Sequence, residues 1–269
     1  MKGMTMDNPL NLRCQQSEPP STPRPDKFRC PACGVAVEIW TDEKIGRCRS
    51  CGLIFAKEKN TLSVDGQHPL KSMDRALTEL MTRAIRAGAT DAAVVDTAEI
   101  VVEDHLAELC LPPKCPNFGT SAGCPPHVGG PAEMRRRIET AASGRAIVIK
   151  IEIPSSTLLS DIDTRCEIFA LLSEIAADIE ETAVWMGYTE ASAYAGGGCK
   201  QTFCREHTAC RVIEEDGNCR HPHKARPSMS GFGVNVGRLM QSAGWEATTS
   251  GQKAAGDDPF PICALVIIG

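Results

Sequence analysis

Ile147-Val148-Ile149-Lys150-Ile151-Glu152-Ile153 carries the clearest strand signal in the chain. Isoleucine at every second position lines one side of an extended chain, and β-branched side chains suit a pleated strand better than a helix. Ten residues on, Thr164 and Glu167 have the spacing of a capping box. They open a helix that runs to about Met186, with Ile168, Leu171, Leu172, Ile175 and Ile179 as its apolar stripe and Gly187 as its stop. A strand followed by a long amphipathic helix calls for a sheet with helices packed on it.

The flanking sequence extends this pattern. Upstream, Ser72 is placed to cap a helix to about Ala87, with Met73, Leu77, Leu80, Met81 and Ile85 on one face and Gly88 past its end. Ala92–Val95 and Ile100–Val102 are short strand candidates, as is Ser192–Ala195 downstream. Val234–Ala243 reads as a helix, and Ile262–Ile268 as a strand buried on both faces. The expected architecture is a single α/β domain over residues 70–269. Ahead of it come a disordered tail (1–26, with five prolines), a zinc-ribbon-like module (27–58) and a linker (59–69).

Aromatic residues make up 4% of the chain, so its core must be built from Ala, Val, Ile and Leu. A net charge of -5 argues against a general nucleic-acid or anionic-membrane binder. No apolar run is long enough for a membrane span, and the N-terminus lacks the apolar segment of a signal peptide. The cytoplasm is the expected compartment. There, clustered cysteines serve as metal ligands or redox groups more often than as disulfides.

Fourteen cysteines are present, and eleven fall into three local sets. Cys30, Cys33, Cys48 and Cys51 form two C-x-x-C-Gly knuckles, and each turn presents two sulfurs to one ion. The pair suits a tetrahedral four-sulfur zinc site, with a small hairpin expected in the spacer between them. A rubredoxin-like iron site would use the same ligands. Zinc there either folds a segment too small for its own core or builds an adaptor.

The second set, Cys110, Cys115 and Cys124, lies in a loop rich in Pro and Gly, and prolines follow Cys115 and Cys124. Proline steers the chain and so fixes where a sulfur points. His127 is a candidate fourth ligand. The third set is Cys199, Cys204, Cys210 and Cys219, four thiols within 21 residues, preceded by Gly196-Gly197-Gly198. These four can wrap one [4Fe–4S] cluster, although their spacing is not that of a bacterial ferredoxin.

His207, Arg211, Arg220, His221, His223, Lys224 and Arg226 surround this set. They either balance the charge of a tetrathiolate cluster or receive an anionic substrate or partner. Gly231-Phe-Gly-Val-Asn-Val-Gly237 has the wrong spacing for a nucleotide loop and reads as a helix start. Cys166 and Cys263 fall on the expected helix and strand and read as core, while Cys14 has no evident partner.

The block Glu108…Cys110-Leu-Pro-Pro-Lys-Cys115-Pro-Asn-Phe-Gly…Cys124-Pro-Pro-His127, with the Arg135–Ile138 helix and the Ala146-Ile-Val-Ile-Lys150 strand, resembles one signature of a known family. So does Gly187-Tyr…Ala193…Gly197-Gly-Cys199, continuing through Cys204, Cys210 and Cys219-Arg-His-Pro to Ala225-Arg-Pro-Ser-Met-Ser, Gly233-Val-Asn-Val and Ala243-Gly-Trp245. The family is the predicted metal-binding proteins, domain of unknown function 2284, and the likeness spans roughly residues 70–269. It implies iron–sulfur binding in a redox setting and no particular reaction. This chain departs from the pattern in its longer gaps before Cys204 and Cys210, and in its added N-terminal knuckles.

Three readings compete. In the first, the chain is an electron-transfer protein with one or two [4Fe–4S] clusters, bound by Cys110, Cys115, Cys124, Cys199, Cys204, Cys210 and Cys219 and serving a protein redox partner. In the second, it is an enzyme whose three-cysteine cluster leaves one iron open to a small anionic or sulfur-containing substrate. There His127, His221 or Arg226 would orient the substrate. In the third, it is an adaptor structured by zinc.

Overall fold

The computed structural model describes residues 24–29, 35–41, 45–49, 54–56, 73–160, 162–246 and 259–269. Most of the expected tail, the 59–69 linker, Ser72, and Cys14, Cys30, Cys33 and Cys51 therefore lie outside the described residues.

Strands β1 (Pro25–Arg29) and β2 (Ala36–Trp40) pair antiparallel, as do β3 (Ile45–Arg47) and β4 (Ile54–Ala56). The spacer length predicts a hairpin between the two knuckles. Instead, the paired strands flank each knuckle: the Cys30–Cys33 segment joins β1 to β2, and the Cys48–Cys51 segment joins β3 to β4. Cys48 is buried with Val37 and Ile39, and Phe28 packs against them. β1 starts at Pro25, two residues inside the expected tail.

The remaining elements are α1 (Met73–Arg86), β5 (Asp91–Asp96), α2 (Asp104–Ala107), α3 (Gly130–Thr140), β6 (Arg145–Pro154), α4 (Ser155–Ser160), α5 (Ile162–Trp185), β7 (Ser192–Tyr194), α6 (Cys199–Phe203), α7 (Arg211–Glu214), α8 (Val236–Ser242) and β8 (Pro259–Ile268). Four strands form one antiparallel sheet in the order β5-β6-β8-β7. Helices cover both of its faces, which makes this a mixed α/β domain.

The alternation read from Ile147 onward sets the two faces. Ile147, Ile149 and Ile151 join Ile262, Ala264, Val266 and Ile268 beneath α1 and α5. Ala146, Val148, Cys263, Leu265 and Ile267 point the other way, toward Met134, Phe232, Leu239 and Met240. Both central strands are buried on both sides, so their sequence is apolar at odd and even positions alike. Lys150 is the exception. It is 8% exposed, pairs with Glu152, and sits 4.6 Å from the centre of the Trp245 ring, whose Nε1–H donates to Asp91.

Several elements differ from the sequence expectation. Ile100–Val102 is not a strand. Asp96 caps a single tight turn with Glu99 reciprocating, and only Val102 then makes a bridge, to Val234. α5 starts at Ile162, so Thr164 lies inside its first turn rather than capping it. Leu171 and Ile85 are exposed, and small residues, Ala176 and Ala183 on α5 and Ala76 and Ala84 on α1, complete the buried stripes instead.

Candidate metal centre

Two loops leave the sheet and meet. The first follows α2, and successive turns hold it: Leu111 N–H to Glu108, Lys114 to Leu111, Phe118 to Cys115, Thr120 to Asn117, Cys124 to Ser121 and His127 to Cys124. Five prolines, which have no N–H to satisfy, fit between these bonds. Gly119, at φ +71, closes the loop by donating its N–H to Pro125 O at 2.7 Å. An L side chain rarely adopts that backbone conformation.

The second loop is an excursion from β7. Its two ends are fastened where Ala195 N–H donates to Pro227 O and Met229 N–H to Ala195 O. Between them, Cys199 opens α6, Cys204 ends it, and Cys210 caps α7. Residues 222–226 are clamped to α5. Arg226 donates to Glu180 and to the carbonyls of Pro222 and Ala225, Lys224 Nζ to Glu174, and Ser173 Oγ to Lys224 O, while His223 meets Glu181 at 2.9 Å. Burial raises the Glu180 carboxyl despite the opposing pull of Arg226 and of the Ala193 N–H.

The loops interlock. Ser228 N–H donates to Gly123 O, and Asn117 Nδ2 reaches Gln201 Oε1 at 3.4 Å. A Cβ on Gly123 would stand 3.3 Å from Cys199 Sγ, and one on Gly231 2.9 Å from Pro125. Close approach is the reason for glycine at both positions.

This packing brings all seven candidate cysteines into one neighbourhood. Cys110 and Cys124 are buried, and Cys115, Cys199, Cys204, Cys210 and Cys219 are half-buried. Cys110 interacts with Cys115. Cys124 feels both of these and Cys199 across the loop boundary. Cys199 and Cys204 each feel Cys210 and Cys219. Burial raises the thiols of Cys110, Cys199 and Cys204, and pushes Cys124 up to about 11. Cys210 is the opposite case. Burial would raise it, but N–H donors from Ala122, Val212 and Ile213 and the nearby Arg220 leave it below the ordinary thiol value.

The middle loop therefore supplies donors to sulfurs of the other loop. Ala122 N–H serves Cys210, and Gly123 N–H serves Cys199. Ser121 lies against the thiols of both Cys124 and Cys199. Its Oγ nevertheless forms no hydrogen bond of acceptable geometry to either, and it is the one buried side-chain polar atom among the described residues left without a partner. Leaving a buried hydroxyl unpaired costs about 1–3 kcal/mol. Ser121 was not singled out by sequence reasoning, because a serine in Gly-Thr-Ser-Ala-Gly carries no sign of burial.

Among the described residues, no three Cys, His, Asp or Glu side chains converge on a single-ion position. The gathered donors are thiols, which suit soft metal ions and iron–sulfur groups alike.

The basic residues divide into two groups. Arg226 and Lys224 neutralise carboxylates of α5, the His223 ring meets Glu181 there, and Arg211 pairs with Glu215. Arg220 and Lys200 stay beside the sulfurs of Cys204 and Cys210, where Arg220 donates to Ala209 O and Lys200 to Cys204 O. His221 directs its N–H at Cys219 Sγ, 3.4 Å away, and its ring lies 5.7 Å from Phe203. His127 is exposed, and its backbone N–H donates to Cys124 O. Asn235 caps α8 by accepting the Arg238 N–H, so the glycine-rich stretch before it is a helix start. Cys263 is buried in β8, whereas Cys166 is only partly covered on α5.

A family described as predicted metal-binding protein, DUF2284, matches residues 93–268. No curated protein and no solved structure matches the chain. Among the described residues, no helix is long and apolar enough to cross a membrane.

Proposed function

We propose, from the premise that this chain belongs to the DUF2284 family of predicted metal-binding proteins, that it is an iron–sulfur protein that passes electrons to or from a partner protein. Cys199, Cys204, Cys210 and Cys219 would hold one [4Fe–4S] cluster, and Cys110, Cys115 and Cys124 a second. The observation that carries this reading is the meeting of the two loops at Cys124 and Cys199, with seven sulfurs in one partly covered neighbourhood. When bound, such a group supplies one-electron chemistry. The chain's own contribution is local. Burial excludes water, N–H donors from Ala122, Gly123 and His221 aim at sulfurs, and Arg220 and Lys200 offset negative charge.

A second reading is favoured by the three-sulfur composition of the middle set. With one ligand position not filled by cysteine, this set would suit an enzyme acting on a small anionic or sulfur-containing substrate. The first knuckle pair, Cys30, Cys33, Cys48 and Cys51, is proposed to bind zinc as a folding element, in keeping with the small core around Cys48. The cytoplasm is the proposed compartment.

Anaerobic purification of the full chain tests these readings. The expected result is about four iron atoms and as many acid-labile sulfides per occupied set, with absorbance near about 400 nm and an EPR signal after reduction. Zinc alone in both loops overturns the iron–sulfur reading. A Cys199→Ala protein that keeps its full iron content overturns the ligand assignment. An EPR signal that shifts when small anions or thiols are added favours the enzyme.

A further inference from the structure

Three consecutive residues form the junction of the two cysteine loops. Ala122 and Gly123 direct backbone N–H groups at Cys210 and Cys199, and Ser121 turns its hydroxyl toward Cys124 and Cys199. There is no slack at this point. A Cβ on Gly123 would meet Cys199 Sγ at 3.3 Å and Pro227 Cα at 3.4 Å. Ser121 is 1% exposed and its Oγ is without a hydrogen-bond partner. Neutral thiols are weak acceptors, whereas metal-bound thiolates and sulfides carry negative charge and accept strongly. The hydroxyl thus stands where an acceptor arises only on metal binding.

We propose that Ser121 is a positioning residue of the metal centre, donating its hydroxyl to anionic sulfur at the Cys124–Cys199 junction and so raising the reduction potential of the group bound there. This rests on the iron–sulfur reading above. A donor aimed at sulfur stabilises the more negative, reduced state. Because Ser121 sits between sulfurs from both loops, it also joins the two cysteine sets electrostatically.

The test compares wild type with Ser121→Ala and Ser121→Thr, each purified anaerobically as the full chain. Iron and sulfide are counted, and the potential is read by EPR-monitored titration. The expected result is unchanged iron in Ser121→Ala, a more negative midpoint potential for at least one signal, and restoration toward wild type in Ser121→Thr. Loss of iron in Ser121→Ala that Ser121→Thr restores also supports the hydroxyl's role. An unchanged or raised potential in Ser121→Ala overturns the proposal, as does equal iron loss in both variants, which would make the requirement one of shape. If the wild-type loops hold zinc and no sulfide, the iron–sulfur reading fails separately. The hydroxyl is then read in the cobalt(II)-substituted proteins by the sulfur-to-metal charge-transfer band. A red shift in Ser121→Ala that Ser121→Thr reverses supports donation to sulfur, and an unmoved band overturns it.

Discussion

At Cys263, 3% exposed within β8, burial pushes the thiol up to about 12 although Lys150 nearby opposes it. An unfolded chain releases such a proton near about pH 8.5, while the folded chain keeps it. Between these values the native state binds more protons, so stability falls as pH rises, by about 1.4 kcal/mol per pH unit for each group. Cys124, at about 11, adds to this fall in metal-free protein. Cys263→Ala should make the decline between about pH 9 and 11 markedly shallower. Urea unfolding at closely spaced pH values checks this, and an unaltered slope would mean that the thiol titrates normally. Burial of Cys263 was legible from its place in an unbroken apolar run. Burial of Ser121 was not, because it depends on a second loop that arrives from more than 70 residues away in the chain.

The elements show where periodicity suffices and where it fails. Gly88 and Gly187, at φ +116 and +104, end α1 and α5 as their positions suggested. The stripes of both helices were found but rotated slightly, because Leu171 and Ile85 score as apolar whether or not a sheet lies beneath them. Gly233 ends the short turn Met229–Phe232 at φ +72, its carbonyl accepts the Glu103 N–H, and a Cβ there would stand 2.6 Å from Glu103 O. Gly233→Ala should cost about 3 kcal/mol from left-handed strain and backbone overlap together. It should also loosen the segment leading to Cys110, which chemical denaturation and thiol accessibility to an alkylating reagent would both report. Wild-type stability in this variant would show that the segment moves aside freely. The one hairpin expected in the spacer differs for a related reason: spacer length says that a hairpin can form, but not which strands become neighbours.

For the molecule as a whole, metal loading and protonation are linked through the buried thiols. Cys110, Cys124, Cys199 and Cys204 are held protonated by burial in the metal-free chain, and each must give up its proton to act as a ligand. Zinc titration of metal-free protein in weak buffer at neutral pH should release about four more protons from wild type than from a variant with all four changed to Ala. Affinity should weaken as pH falls. Equal release from the two proteins would remove these cysteines from the ligand set. The four strands of the main sheet, its long helices, the three cysteine sets and the family were legible in the chain alone, because periodicity, turn residues and ligand spacing are local properties. The packing of distant segments settles that the second and third sets share one neighbourhood, that His223, Lys224 and Arg226 meet carboxylates of α5, and that an unpaired serine hydroxyl sits at the join. Those outcomes depend on β8 entering the sheet between β6 and β7 and on the two loops closing over each other, and contacts between distant segments leave no periodic trace in the chain.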